Sequence, residues 1–580
     1  MPPEWLGDFL LEVSKTPMGE DSRERAARIA KRADFDEGLI VREATRHKVL
    51  PVVASNLACL RDETPRLSRV IDAARQKKES VRTLWGEFGN TIRGVNACGL
   101  SPVVLKGPAW ASTYYPSPLD RSFGDIDLFV EPEHLDRYGD ALRSLGYSQS
   151  TFDPKSGTIT PLAPERIAGA LATGRHAAPF IRFDEDSGSL FVVELHAPGF
   201  DENFHRVDTR CFLEDAVEWP VEEAQARRLS RVDDVVYCAA HLWKDLYVCS
   251  PQGAPAAALL HGFCDLRQMF LAASGDEHWR GLYDRAHHVR KCDPVFFAVT
   301  HLDRLYPGVV PRSLLDPPGQ LTKDPETVID DVWRFSVGSS TFRERLFDPH
   351  VDERRFTKLR DRGEAGGQLT IPHHSQEAAR VILSGTIDPP AWQFFRTHVT
   401  YGATPAGDRE FSAEVRLSHS AEHLHVSVSV SDPVQVFDKR NGFYYAQDSV
   451  QILFECPLGS GRLDNIFLVP AAADLPEPAV VRHHAGLERA GTEPVPGASI
   501  SAEFSPEGYR MHADLPKAEV IPGLATGEWF GLDVVVYESG PAGEERRSVL
   551  QWSGGRNSIR NPAFYGRAEL AGSDQTTTNE

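Results

Sequence analysis

One change of period divides this chain. Through roughly residue 310, long stretches carry apolar residues at three- and four-residue spacing, the signature of amphipathic helices. DSRERAARIAKRADF, VVASNLACL and VRTLWGEFGNTIRGVNACG show it early; DDVVYCAAHLWKDLYV and LLHGFCDLRQMFLAA show it later. Past about residue 376 the period drops to two. Phe411, Ala413, Val415 and Leu417 alternate with mostly polar residues, and Leu424, Val426, Val428 and Val430 alternate with His425, Ser427, Ser429 and Ser431. Such strands suit an antiparallel sheet with one wet face. SVQILFE and GLDVVVYE add further strands, and turns rich in Gly, Pro and Asp separate them, which favours a β-sandwich.

Between these regions, residues 350–376 are charged and polar and are expected to form a linker. The expected fold class is therefore multidomain α+β. An N-terminal helical region (1–100), a mixed α/β core (101–215) and a second helical region (216–349) precede the linker. An antiparallel β-sandwich (377–572) and a frayed tail (573–580) follow it. The mixed core is marked by short β-type runs at Pro102–Leu105 and Asp125–Val130, and by a hairpin-like pair, PFIRFDE and LFVVELHA.

Composition narrows the function. The chain has 580 residues, with 63 Lys and Arg against 83 Asp and Glu, a formal charge of −20. That balance disfavours a long nucleic acid as partner, because binding one requires basic residues that displace phosphate counterions. It leaves room for a locally basic pocket for a small anion. No apolar run approaches the ~18 residues of a membrane span. The start, MPPEWLGDFLLEVSK, lacks a basic region and an uninterrupted apolar run, so no signal peptide is expected. The eight cysteines include no C-x-x-C pair. Reduced, mostly buried thiols in a cytoplasmic protein are the expectation.

The sharpest chemical signal is Asp125-Ile126-Asp127. On a strand, residues i and i+2 share a face. Two adjacent carboxylates repel unless a cation lies between them or one takes a proton. A third acid, Glu194, lies in LFVVELHA, where Leu190, Val192, Glu194 and His196 share one face. Three carboxylates can hold two Mg²⁺ ions about 3.5–4 Å apart, which suits phosphoryl-group chemistry. Val104-Leu105-Lys106-Gly107 ends a strand at a glycine, which allows close approach of backbone to a phosphate. Lys106 and Arg121 could both supply positive charge to a triphosphate.

LKGPAWASTYYPSPLDRSFGDIDLFV resembles the signature of the uncharacterised nucleotidyltransferase-like family within the DNA polymerase β-type nucleotidyltransferase superfamily. The likeness extends to His176 with Ala-Ala-Pro-Phe, to VELHAPG, and to helices carrying His241, Lys244 and Asp265-Leu266. It covers roughly residues 20–310. It implies transfer of a nucleoside monophosphate from an NTP to an acceptor: a sugar, another metabolite or a peptide. Asp125, Asp127 and Glu194 would then be catalytic and would hold Mg²⁺. Lys106, Gly107 and Arg121 would bind the nucleotide, with His196, His176 and Lys244 as accessory residues. The chain departs from the superfamily pattern at its Lys-Gly-Pro turn, where Pro108 has no amide to donate. It also has a longer gap before the D-x-D, and Glu in place of Asp as third acid. The other readings are a nucleotide- and glycan-binding protein without turnover, and a kinase-like phosphotransferase. Asp265 is expected in a buried ion pair, with Arg267 or with another helix.

Residues 378–572 resemble the family 9 carbohydrate-binding-module-like domain. GTIDPPAW, LHVSVSVSD, QDSVQILFE, EGYRMHADLP, WFGLDVVVYE and QWSGG carry the likeness. It implies a glycan held against aromatic faces, with Trp552, Tyr444 and Tyr445 as candidates and Trp392 as a core residue.

Overall fold

The structure is a computed structural model. It describes residues 2–58, 67–153, 158–162, 177–184, 187–197, 209–221, 224–245, 260–273, 276–289, 291–316, 341–348, 368–373, 378–385, 411–432, 435–437, 447–460, 462–472, 477–484, 491–539, 546–552 and 565–572, plus isolated positions such as Tyr444. Two compact units are present. The first contains the described residues through 316 and Phe342–Asp348; the second contains those from 368 onward.

The first unit opens with α1 (Glu4–Val13), α2 (Glu20–Ala30), α3 (Glu37–Arg46), α4 (Leu50–Leu57) and α5 (Ser68–Ala97). Local chemistry sets their ends. Asp36 caps α3 by accepting from the amides of Gly38 and Leu39. Along α5, Val70, Ile71, Ala74, Val81, Phe88, Ile92 and Val95 form one buried stripe, as the helical period requires.

Next come β1 (Val103–Leu105), α6 (Gly107–Tyr114), β2 (Ile126–Phe129), α7 (Leu135–Ser144), β3 (Ser148–Asp153) and β4 (Thr158–Pro161). They are followed by β5 (Phe180–Asp184), β6 (Ser189–His196), α8 (Arg210–Glu214), β7 (Val217–Val221) and β8 (Ala224–Arg228). These strands form one mixed sheet in the order β4-β3-β5-β6-β2-β1-β8-β7. β1 and β2 are buried throughout, which explains why they read as short apolar runs without alternation. The expected hairpin is β5 against β6, with Phe180 opposite Val193 and Asp184 opposite Ser189. Helices α9 (Arg231–Asp245), α10 (Leu260–Leu271), α11 (Leu282–His288), α12 (Cys292–Leu305) and α13 (Phe342–Phe347) complete the unit.

In the second unit, β10 (Ala379–Gly385), β11 (Phe411–His419), β12 (His423–Ser431), β18 (Gly508–Pro516) and β17 (Ser499–Ser505) lie in that order in a five-stranded antiparallel sheet. A larger sheet runs β16 (Gly491–Pro494), β15 (Ala479–His484), β14 (Leu463–Val469), β13 (Ser449–Glu455), β19 (Trp529–Ser539), β21 (Gly566–Leu570), β9 (Gln368–Ile371). β20 (Arg546–Gln551) also pairs with β19. Val415, Val428, Met511 and Leu515 of the small sheet share one core with Ile452, Phe454, Leu532 and Val534 of the large one. The chain is thus a multidomain α+β protein.

Two details differ from expectation. Gln368–Ile371 lies inside the stretch expected as linker, yet it is β9 and pairs in parallel with β21. The sandwich therefore begins before residue 377. The wet face also holds for only one sheet. β12 alternates buried and more exposed residues, whereas β13 is buried at every position. A second small core of Tyr444, Leu453, Phe467, Val535, Tyr537 and Tyr565 covers the other side of the large sheet.

Candidate active site

The site is built where β1, β2 and β6 meet α6. Lys106 and Gly107 both take positive φ, 38° and 41°, to turn the chain from β1 into α6. A Cβ at Gly107 would stand 3.6 Å from the Asp125 carbonyl, an ordinary contact. The backbone conformation, and not lack of space, is therefore what favours glycine here. The turn brings Lys106 over the acids of β2. Its Nζ is 3.0 Å from Asp127 Oδ2 and 3.8 Å from Asp125 Oδ2. The cation that two neighbouring carboxylates require is thus, in this structure, a lysine.

β2 runs parallel to β6, and the register places Asp127 beside Glu194. The two acids, 67 positions apart by number (194 − 127), become neighbours on adjacent strands. Asp127 is fully buried, at 0% exposure. Its Oδ1 lies 2.9 Å from His196 Nε2, and the same nitrogen is 3.7 Å from Glu194 Oε2. Asp127 Oδ2 makes an ion pair with Lys106 without a hydrogen bond.

Burial alone would push the Asp127 carboxyl up. The Lys106 charge and the His196 hydrogen bond outweigh it and hold Asp127 well below the usual carboxylate range. Burial would likewise lower the Lys106 ammonium, but Asp127 and Asp125 hold it well above its ordinary value. Lys106 is therefore a fixed positive charge.

The ligand atoms of Asp127, Glu194 and His196 all lie within 4.8 Å of one another. Carboxylate oxygens of Asp127 and Glu194 and an imidazole nitrogen of His196 form a donor set that fits a divalent cation. Asp125 lies outside that group. Its side chain is 39% exposed and faces Lys106.

Arg121 corrects an expectation. It is not presented to a triphosphate, being only 5% exposed. Its Nε and Nη2 each donate to Asp265 at 2.8 Å, and Nη1 donates to the carbonyls of Gly107 and Ser122 at 3.2 and 3.3 Å. Trp110 lies under the guanidinium, 5.2 Å away. A buried guanidinium needs such a full set of acceptors, and none of its arms is left for phosphate. Asp265 is in a buried ion pair, but its partner is Arg121; Arg267 donates instead to the Thr16 carbonyl at 2.8 Å. Tyr115 completes the group by donating to Asp265 Oδ1 at 2.7 Å.

Two residues of α9 escaped sequence reasoning. Asp234, 1% exposed, accepts from Trp110 Nε1 and Tyr114 OH, both at 2.6 Å, and so ties α6 to α9. Burial pushes its carboxyl up to about 7. Tyr237 is buried within electrostatic reach of Lys106, Asp127 and Glu194; burial above all keeps its phenol protonated. The only signal was a polar group within an apolar helical stripe, which is equally a core signal.

His176 and Tyr445 lie outside the described residues, as does Trp392. The Lys244 backbone is in α9; its side chain lies outside the described set. Tyr444 is a second correction: at 2% exposure it is part of the small sandwich core, against Phe467, and presents no open face to a sugar. Trp552 is partly buried against the main sandwich core.

Among the described residues no helix is long and apolar enough to cross a membrane. The described cysteines Cys98, Cys211, Cys238, Cys264, Cys292 and Cys456 are not joined in disulfides.

Residues 33–307 match the model of a family described as uncharacterised nucleotidyltransferase. Solved structures similar to part of the chain include two carbohydrate-binding modules. One is a family 9 carbohydrate-binding module from Caldicellulosiruptor kristjanssonii in complex with cellotriose. It has 18% identity over 37% of this chain and 100% of the module, with a TM-score of 0.24. The other is the family 9 module from the same organism in complex with glucose, with the same identity, coverage and TM-score. No curated protein matches the chain.

Proposed function

We propose that the first unit is a divalent-metal-dependent nucleotidyltransferase of the DNA polymerase β type. It would move a nucleoside monophosphate from an NTP to an acceptor hydroxyl on a sugar, metabolite or peptide, in the cytoplasm. The observation that carries this reading is the register of β2 and β6. It sets Asp127 beside Glu194, with the Lys106-Gly107 turn above Asp127, inside the segment that matches a nucleotidyltransferase family.

Asp127 and Glu194 would hold the metal, Mg²⁺ on the family resemblance, while Asp125, paired with Lys106, lies outside the donor group. A bound divalent ion would neutralise phosphate charge and favour the ionised acceptor. The chain's own residues would do the rest. Glu194 would accept the acceptor's proton as its oxygen bonds to the α-phosphorus. The bond from that phosphorus to the bridging oxygen would break, and pyrophosphate would leave. Lys106, permanently charged, would face the departing pyrophosphate, and the Gly107 turn would let backbone approach it. The second unit would bind a glycan, bringing a sugar-bearing acceptor to the protein; that part rests on sequence resemblance.

The test uses NTPs labelled at the α- or γ-phosphate, Mg²⁺ or Mn²⁺, and cell extract as acceptor source. Transfer of the α-label, abolished by Asp127→Asn, supports the reading. Transfer of the γ-label alone would identify a phosphotransferase. Nucleotide binding with no transfer of either label would identify a binding protein.

A further inference from the structure

We infer that His196 is itself a metal ligand and that the site prefers Mn²⁺, a divalent ion that accepts nitrogen, over Mg²⁺. This rests on the nucleotidyltransferase reading and changes its metal. The argument begins with the strand pair. His196 follows Glu194 by two residues on β6, so both side chains leave the same face. Parallel register with β2 carries that face to Asp127. The result is one nitrogen, His196 Nε2, that is hydrogen-bonded to a buried carboxylate oxygen at 2.9 Å and stands 3.7 Å from a second carboxylate, so that a bound ion would take the place of the shared proton.

The residue expected from spacing as the second carboxylate ligand, Asp125, is not part of this group. What the fold gathers is two oxygens and one imidazole. Mg²⁺ binds oxygen ligands almost exclusively and keeps several waters, while imidazole suits later divalent ions. Mn²⁺ accepts both kinds of donor, and its affinity for such sets is the mildest in the transition series, compatible with exchange during turnover.

The experiment is Mn²⁺ binding to the full-length protein, followed by electron paramagnetic resonance, with Mg²⁺ as competitor. Pulsed measurements should show nitrogen-14 modulation from a directly bound imidazole, and Mn²⁺ should bind at least about tenfold more tightly than Mg²⁺. His196→Gln should remove the modulation and weaken Mn²⁺ by more than it weakens Mg²⁺. His196→Asp, which returns an oxygen donor, should move the preference toward Mg²⁺ without restoring the modulation, and so serves as the folded control. Mn²⁺ bound without nitrogen modulation, or equal affinity for the two ions, would overturn the inference. Transfer of the α-label supported by Mg²⁺ would then still stand as evidence for the nucleotidyltransferase. Failure to bind either ion, with no transfer, would sink both.

Discussion

Arg121 grips Asp265 with both arms of its guanidinium, 2.8 Å each, while a third nitrogen donates to the Gly107 carbonyl at 3.2 Å. A helix of the second helical region thereby holds the turn that carries Lys106, through one arginine. The contact assigns Arg121 to positioning and explains why an arginine so close to the D-x-D is turned away from solvent.

Arg121→Ala should leave Asp265 buried and uncompensated. The expected cost is about 3–5 kcal/mol, because breaking a buried pair strands the remaining charge. Arg121→Lys should recover only part of this, since an ammonium cannot reproduce the two-armed contact. Chemical denaturation followed by tryptophan fluorescence measures both. An Arg121→Ala protein as stable as wild type would refute the positioning role.

On the proposed function, Lys106→Met should lower kcat for nucleotidyl transfer by about 10²–10³, the scale of losing one preorganised charge at a developing anion. KM for the acceptor should change little. The measurement is steady-state transfer of the α-label, with acceptor and NTP varied in turn.

Asp234 predicts a pH dependence of stability. Its carboxyl is pushed up to about 7 from an ordinary 3.8, first by burial. The folded state therefore favours the protonated form. The stability this contributes is fully present below about 4 and is lost as pH rises through about 7. Asp234→Asn lacks the titration. The stability difference, wild type minus variant, should shrink by a few kcal/mol between pH 4 and 7.5. Denaturation curves across that range decide it; a difference that stays flat would show that Asp234 does not titrate there.

In the sandwich, Tyr444→Ala should destabilise the second unit by about 3–5 kcal/mol, the range for emptying an aromatic core position. Trp552→Ala should cost less, because the ring is only partly buried. If a glycan contacts the unit at Trp552, its affinity for oligosaccharides should fall at least about tenfold in that variant. Calorimetric titration with a panel of oligosaccharides, beside thermal melts, separates the two effects.

Part of the candidate site was legible before any fold was known. Asp125, Asp127 and Glu194 stood out because carboxylates on otherwise apolar strands are costly unless a cation meets them. Lys106-Gly107 stood out as a strand ending on a glycine. The same logic failed at Arg121 and Tyr444. An arginine near acids suggests phosphate, and a tyrosine in a loop suggests a ligand, yet each was already engaged by a distant partner. β9 was missed because QLTI is too short and too polar in its surroundings to announce a strand; its pairing with β21 is what makes it one.

The sequence by itself determined the two periods, and with them a helical and mixed unit followed by a sandwich, because side-chain spacing decides which face of a local element can be buried. It also singled out the acids and the lysine that the candidate site contains. Only the tertiary structure decided which of them meet. Asp127 and His196 are 69 residues apart, and Arg121 and Asp265 are 144 apart. Local pattern can say that a buried charge needs a partner. Which partner is set by strand register and helix packing, where desolvation leaves no charge unanswered and geometry admits one candidate.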